Sequence, residues 1–463
     1  MFPSITYINR RKMLKQAVKK GVALFLGNDE SPMNYADNTY DFRQDSTFLY
    51  YFGNDYAGLS AVIDMDENRE IIFGNELTID DIVWMGQQPS IREKCEQAGI
   101  RETLPGGALK EYLQAAAAKG REIHFLPPYR AEQQLKLQDW LGIAPAGQAE
   151  AASLEFVKAV VHQRNYKSDE EIEQIEEAVA ISAEMHRKAI AMARPGRKES
   201  EIAAAMNEIA MRYGGRLSFP TIATINGQIL HNHYHGNTLE SGQLMLIDAG
   251  AENAMHYAGD LSSTFPVDKK FTERQRTIYQ IRYDMHRAAV AALRPGIAFR
   301  DVHFIAAKTL VEGFKSIGLM KGDATEAVMA GAHALFFVHG LGHMMGLDVH
   351  DMENLGEKWV GYAGEPRSTQ FGLKSLRLAR TLEPGFVHTI EPGIYFIPEL
   401  IEQWKVKNQL AQFINYEAVE TYKNFGGIRN EEDYLITATG ARRLGPALPL
   451  SAEEMEAATA SRQ

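Results

Sequence analysis

Residues 185–196, MHRKAIAMARPG, return one hundred positions later as MHRAAVAALRPG at residues 285–296. Each copy closes a long helical run and is followed by a second helical stretch. The first run opens at Ser168 with SDEEIEQ, a capping serine followed by an acidic first turn, and stops at Pro195-Gly196. Arg-Pro-Gly alone is a common helix stop, but the matching Met-His-Arg upstream marks a duplication. A spacing of one hundred residues is far beyond the ~20–50-residue period of a solenoid. It predicts instead two similar halves around a shared core, with a functional site between them.

The first ~160 residues have a different texture. Apolar runs that read as strands (GVALFLG, LSAVIDMD, REIIFG, EIHFLP) alternate with helical stretches such as REKCEQAG and LKEYLQAAAAKG. A chain of 463 residues is long for one hydrophobic core. A boundary near residues 160–167 therefore separates an α/β domain, 1–165, from the duplicated domain, 166–445, with a tail at 446–463. Sixty acidic against forty-nine basic residues give a net charge of −11, which disfavours a sequence-independent grip on nucleic acid. The basic N-terminus carries only the short apolar run VALFL, too short for a secretory signal, and nothing approaches the ~18–20 apolar residues of a membrane span. The single cysteine, Cys95, excludes an internal disulfide and fits a reducing compartment, so the cytoplasm is the expected location.

The chemistry concentrates in the duplicated half. Residues 339–351, HGLGHMMGLDVHD, mix three histidines and two aspartates with glycine and large apolar side chains. In 244–266, LMLIDAGAENAMHYAGDLSSTFP, an apolar strand leads into Asp248 and a second begins around Asp260. HTIEPGIYF places Glu391 after an apolar strand, and GGIRNEEDYLIT places Arg429 and Glu431 in a strand that continues apolar. Singly, each carboxylate is an ordinary turn residue. Together, Asp248, Asp260, His343, Glu391 and Glu431 bring four negative charges out of buried-looking strands, which costs several kcal/mol per ion unless something neutralises them. Two divalent cations would balance the charge; without them the carboxylates would have to take up protons. An oxygen-rich set with one imidazole suits Mn²⁺ better than structural zinc, with Co²⁺ or Zn²⁺ as alternatives.

The ordered motifs IDAG, AGD, HGLGH..GLDVHD, TIEPGIY and GGIR.EED resemble those of the pita-bread metallopeptidases, in the prolidase and aminopeptidase P branch. FRQDSTFLYYFG (42–53) and WMG (84–86) resemble the N-terminal domain of that branch, so the likeness spans essentially the whole chain. It implies a creatinase-like N-terminal α/β domain followed by a pseudo-twofold pita-bread domain, in agreement with the repeat. It further implies that Asp260 and Glu431 bridge two metal ions, that Asp248 completes one ion's ligands, and that His343 and Glu391 complete the other's. His339 and His350 would face substrate, where an imidazole can hold a carbonyl oxygen; the alternative is that both are core histidines. His231 matches the family's histidine near the substrate amide, although His233 and His235 stand within four residues of it. Arg429 would support the site from behind or touch substrate.

What the resemblance implies is metal-assisted hydrolysis of small proline-containing peptides by a homodimer, with Glu391 shuttling a proton to the leaving nitrogen. The long stretch between Glu391 and Glu431, and Thr47 where compact aminopeptidases P carry an acid, favour a dipeptidase of the prolidase kind. An aminopeptidase P acting on longer chains is the alternative. Arg377, fourteen residues before Glu391, stands where prolidases take the dipeptide carboxylate; otherwise it belongs to a basic surface with Lys374 and Arg380. Metal-free creatinase and non-catalytic relatives lack the full ligand set that is present here.

Overall fold

Four of the apolar runs near the N-terminus become strands of one sheet. In the computed structural model, which describes residues 1–462, these are β1 (Val22–Leu26), β2 (Ser60–Asp64), β3 (Arg69–Phe73) and β5 (Ile123–His124), joined by β4 (Glu102–Leu104). The strand order is β4-β3-β2-β1-β5, antiparallel along β1–β2–β3 and parallel at both edges. Alternation decides which side chains are buried together: Val22, Leu24, Val62, Ile71 and Phe73 pack with Leu109 and Leu113, one turn apart on the helix Ala108–Ala118. Elsewhere in this unit Phe25 meets Tyr51, Phe52 and Phe156, and buried Thr47 accepts a hydrogen bond from Arg164 at 3.0 Å. The chain divides into two compact units, Met1–Arg164 with Met352–Trp359, and Asn165–Asp351 with the chain from Val360 onward.

The second unit opens where its cap predicts. Ser168 accepts from the Glu171 N–H while the Glu171 carboxylate returns to the Ser168 N–H, starting α1 (Asp169–Met192). Helix α2 (Glu199–Arg212) follows, then the antiparallel strands β6 (Ile222–Thr224), β7 (Leu244–Ala249) and β8 (Leu261–Pro266), in the order β8-β7-β6. The pattern repeats with α3 (Glu273–Ala292) and α4 (Phe299–Ser316). These precede β9 (Val387–Ile390), β10 (Gly393–Tyr395), β11 (Gly427–Arg429), β12 (Glu432–Ile436) and β13 (Ala441–Arg443). Strands β9, β12 and β13 form one antiparallel sheet, and β10 pairs with β11.

The duplication extends to hydrogen bonds. After α1, the Gly196 N–H donates to Leu239 O (2.8 Å) and the Leu239 N–H returns to Arg197 O (2.7 Å). After α3, the Gly296 N–H donates to Leu382 O (2.9 Å) and the Leu382 N–H returns to Ile297 O (2.8 Å). Both glycines have a left-handed φ, +89° and +87°, with open space where a Cβ would stand; backbone conformation, not crowding, selects glycine. Five residues beyond Leu239 and Leu382, strands β7 and β9 begin, and nine residues beyond are Asp248 and Glu391. The two carboxylates thus occupy equivalent places in the two halves.

One expectation changes. Arg429 and Glu431 do not share one strand: β11 ends at Arg429, Asn430 and Glu431 form a break, and β12 starts at Glu432. The break frees Glu431 from the β9–β12 ladder so that its N–H bonds Ser262 O at 3.0 Å. The tail after residue 445 contains the helix Ala452–Ala460, and Arg462 donates from Nε to Ile190 O and from Nη1 to Pro266 O. Among the described residues no helix is long and apolar enough to cross a membrane.

Candidate metal centre

All ten residues singled out in the sequence (His231, Asp248, Asp260, His339, His343, His350, Arg377, Glu391, Arg429 and Glu431) line one cavity of about 640 Å³. Register explains how they meet. Asp248 lies opposite Ser262 in the β7–β8 ladder, and Asp260 immediately precedes β8. Ile390 lies opposite Glu432, so one step further Glu391 comes opposite Glu431. The halves are stitched together by side chains: Ser262 Oγ donates to Glu431 Oε2 (2.9 Å), Thr264 Oγ1 donates to Arg429 O (2.8 Å) and accepts the Arg429 N–H (3.0 Å).

His343 arrives from the glycine-rich loop that follows the short 3-10 helix Ala332–Leu335. Its N–H donates to Thr389 Oγ1 (3.2 Å), and its O accepts the Thr389 N–H (3.0 Å). A Cβ on Gly342 would stand 2.1 Å from Thr389 O, so only glycine lets the loop lie this close to β9. The ring Nδ1 is 3.1 Å from Met344 O. A carbonyl only accepts, so Nδ1 carries the proton and Nε2 presents its lone pair. That lone pair faces Asp260 Oδ2 at 3.3 Å and Glu391 Oε1 at 3.7 Å.

A lone pair aimed at carboxylate oxygens is repulsive unless a cation or a carboxyl proton lies between them. The donor set fits a cation: Asp260, His343 and Glu431 each offer an atom within 4.8 Å of the others. Asp248 Oδ1, Asp260 Oδ1 and Glu431 Oε1 are buried with no hydrogen-bond partner in the protein. Burial, reinforced by the neighbouring carboxylates, pushes the Asp260 and Glu431 pKa values well up. Burial likewise raises Glu391 to about 8, with Asp248 adding to it and the Arg429 and Arg377 guanidiniums opposing. His343 is pushed well down, chiefly by burial and then by His350, and so stays neutral and able to ligate. Cations at these oxygens would relieve charge that the protein alone leaves uncompensated.

One guanidinium organises the remainder. Arg429 donates from Nη2 to Asp248 Oδ2 (2.5 Å), from Nε to Ser262 Oγ (3.0 Å) and from Nη1 to the Tyr395 hydroxyl (2.6 Å). Tyr395 in turn donates to His339 Nε2 (2.8 Å), whose Nδ1–H reaches Gly340 O (2.7 Å). His339 is therefore no isolated core histidine but the end of a polar chain at the cavity wall, and burial lowers its pKa to about 3. His350 packs edge-on to His343, with ring centroids 4.2 Å apart. His231 and His233 both line the cavity, whereas His235 is turned to Thr221 O at 3.1 Å.

Tyr395 is the residue that sequence reasoning passed over. In GIYF it reads as one more strand aromatic, and only its need for a hydroxyl partner hints otherwise. Thr389 and Asp433 were also passed over; buried Asp433 accepts the Asp260 N–H at 3.3 Å.

The model of metallopeptidase family M24 matches residues 173–438, and that of the aminopeptidase P N-terminal domain matches residues 7–124. The chain is 31% identical over 473 residues to a Xaa-Pro dipeptidase of Rattus norvegicus, covering 98% of this chain and 93% of that protein. It is 30% identical over 466 residues to a Xaa-Pro aminopeptidase of Escherichia coli strain K12, covering 97% and 96%. Among solved structures it resembles the aminopeptidase PepP of Pseudomonas aeruginosa (25% identity, 99% and 98% covered, TM-score 0.81). A zinc-substituted E. coli aminopeptidase P in complex with product is similar too (28% identity, 100% and 99% covered, TM-score 0.81). The fold expectation holds: a mixed α/β N-terminal domain precedes a pita-bread-like catalytic domain.

Proposed function

Since the chain belongs to metallopeptidase family M24, and is thus a metal-dependent peptidase, we propose that it hydrolyses Xaa-Pro bonds at a two-metal centre and prefers dipeptides. The observation that carries this is the convergence of Asp260, His343 and Glu431, flanked by Asp248 and Glu391, in a cavity that also holds Arg377. Asp260 and Glu431 would be shared between the ions, with Asp248 holding one of them and His343 and Glu391 the other. The oxygen-rich set favours Mn²⁺. Divalent cations bound there supply Lewis acidity and lower the pKa of water toward neutrality.

The protein's own groups do the rest. Glu391, whose pKa lies high without metal, is suited to carry a proton to the leaving nitrogen. A prolyl nitrogen has no N–H in the substrate and must gain that proton to depart. His350 would hold carbonyl oxygen on the cavity wall and His231 would face the substrate amide, while His339 would reach a carbonyl oxygen only on giving up its bond to Tyr395 and taking a proton at Nε2. Arg429 holds Asp248 and, through Tyr395, orients His339. Arg377 offers a planar fork to the substrate carboxylate, which makes it a ruler for chain length.

Release of a single N-terminal residue from longer Xaa-Pro peptides is the second reading, supported by the likeness to aminopeptidase P structures. Steady-state hydrolysis of an Xaa-Pro dipeptide and an Xaa-Pro-Yaa tripeptide by Mn²⁺-loaded protein separates them. A higher kcat/KM on the dipeptide is expected; preference for the tripeptide would favour the second reading, and absence of activity on both would overturn each.

A further inference from the structure

The duplicated Met-His-Arg takes no part in the cavity, yet both histidines are buried, His186 at 0% exposure on α1 and His286 at 1% on α3. His186 Nε2 is 2.9 Å from Ala249 O, and its Nδ1 is 2.9 Å from Ser263 Oγ. Because the carbonyl can only accept, Nε2 donates to it and Nδ1 accepts the serine hydroxyl. Ala249 directly follows Asp248 on β7, and Ser263 stands three residues after Asp260 on β8. A single imidazole therefore ties together the two strands that carry these carboxylates. One turn earlier on the same helix face, Ser182 Oγ accepts the Ala251 N–H at 2.8 Å, so α1 grips the hairpin at two points.

His286 occupies the equivalent place in the other half. Its Nε2 lies 3.4 Å from Oε2 of Glu432, the neighbour of Glu431 at the start of β12, a packing contact in which neither ring nitrogen makes a hydrogen bond. Glu432 is held in turn by the Tyr434 hydroxyl (2.7 Å) and Arg443 Nη1 (3.2 Å). In each half, the helix that ends in Arg-Pro-Gly presents its histidine to a residue adjacent to a carboxylate of the centre.

We propose that His186 and His286 are twin positioning residues of the metal centre. His186 holds the spacing of Asp248 and Asp260 from behind by hydrogen bonds, and His286 backs Glu431 by packing its neutral ring against Glu432 without a hydrogen bond to it. The inference rests on the metallopeptidase reading. Its chemical ground is specific for His186: a bridge between an acceptor on one strand and a donor on the next needs a donor and an acceptor on opposite edges of one side chain. Leucine fills the same volume but offers neither; glutamine offers both.

The test is Mn²⁺ titration calorimetry on the full chain, with the visible spectrum of the Co²⁺-loaded protein as a second readout. The variants are His186→Leu, His186→Gln, Ser263→Ala and His286→Leu. Expected are a fall of ~10–100-fold in Mn²⁺ affinity and an altered Co²⁺ band for both leucine variants. Partial recovery is expected in His186→Gln, and a smaller loss of the same sign in Ser263→Ala. If His186→Leu does not fold, His186→Gln and Ser263→Ala carry that half of the test. Lowered thermal stability with unchanged Mn²⁺ affinity and Co²⁺ spectrum would overturn the proposal, leaving packing as the histidines' role. Loss on one side only would overturn the twin assignment. A wild-type chain that takes up neither Mn²⁺ nor Co²⁺ would overturn the two-metal reading and this inference together, a result distinct from wild-type uptake that the variants match.

Discussion

Glu391 and Arg377 show how much rests on single side chains. Glu391 combines a burial-raised pKa of about 8 with a place beside His343 Nε2, so it can be both ligand and proton carrier. Glu391→Gln keeps the shape and removes the base. Its kcat should fall by ~10²–10⁴, read in steady-state assays alongside elemental analysis. Near-normal kcat with full metal content would remove Glu391 from proton transfer. Arg377→Ala should raise KM for a free Xaa-Pro dipeptide by a factor equivalent to ~1.5–3 kcal/mol of charge-assisted hydrogen bonding. An amidated dipeptide should be nearly unaffected, and equal losses on both substrates would show that Arg377 does not read the chain end.

At the scale of elements, the loop bearing His343 and His350 is anchored by a buried ion pair. Lys167, just before α1, bonds Asp351 Oδ2 at 2.8 Å, with both side chains 1% exposed. Gly346 allows the approach: a Cβ there would stand 2.7 Å from Asp351 Oδ2 and 2.9 Å from Lys167 Cε. Removing one partner strands the other charge, so Asp351→Leu alone should cost ~3–5 kcal/mol in denaturant unfolding. Lys167→Met/Asp351→Leu should recover most of that loss, since desolvation offsets much of the pair's attraction. A double variant as unstable as the single would mean that the pair contributes far more than charge neutralisation.

For the whole molecule, pH acts from two sides. Burial lowers His286 to about 3, and His333 and His388 to about 4. With unfolded values near ~6.5, the native chain binds fewer protons than the unfolded chain below that pH. Stability is thus fully present above ~6.5 and is lost as pH falls toward ~4, by up to ~1.4 kcal/mol per pH unit for each histidine. The metal-free carboxylates act in the opposite sense: Asp260, Glu431 and Glu391 have raised pKa values, so their contribution is lost as pH rises through them. Cation binding must displace those protons. Calorimetry of Mn²⁺ binding in buffers of different ionisation enthalpy should therefore register proton release at neutral pH. The melting-temperature gain on adding Mn²⁺ should also grow from pH 6 to 8. No proton release would mean that the metal-free carboxylates are already ionised.

The five proposed ligands were legible in the chain because each adjoins an apolar strand or a glycine-rich turn, and both are local features. The duplication was legible because the same helix stop must be written twice to build two halves. Local signals go no further than the element they lie in. Nothing in GIYF shows that Tyr395 will link Arg429, 34 residues later, to His339, 56 residues earlier. The apolar strand after GGIR conceals a break at Asn430–Glu431, where the Glu431 N–H turns to Ser262 O in the other half. Met-His-Arg announces a repeat, but whether its histidine meets solvent, core or the back of a carboxylate strand depends on which helix face is covered. These contacts join residues tens to hundreds of positions apart, and they exist only once packing has brought the two halves together.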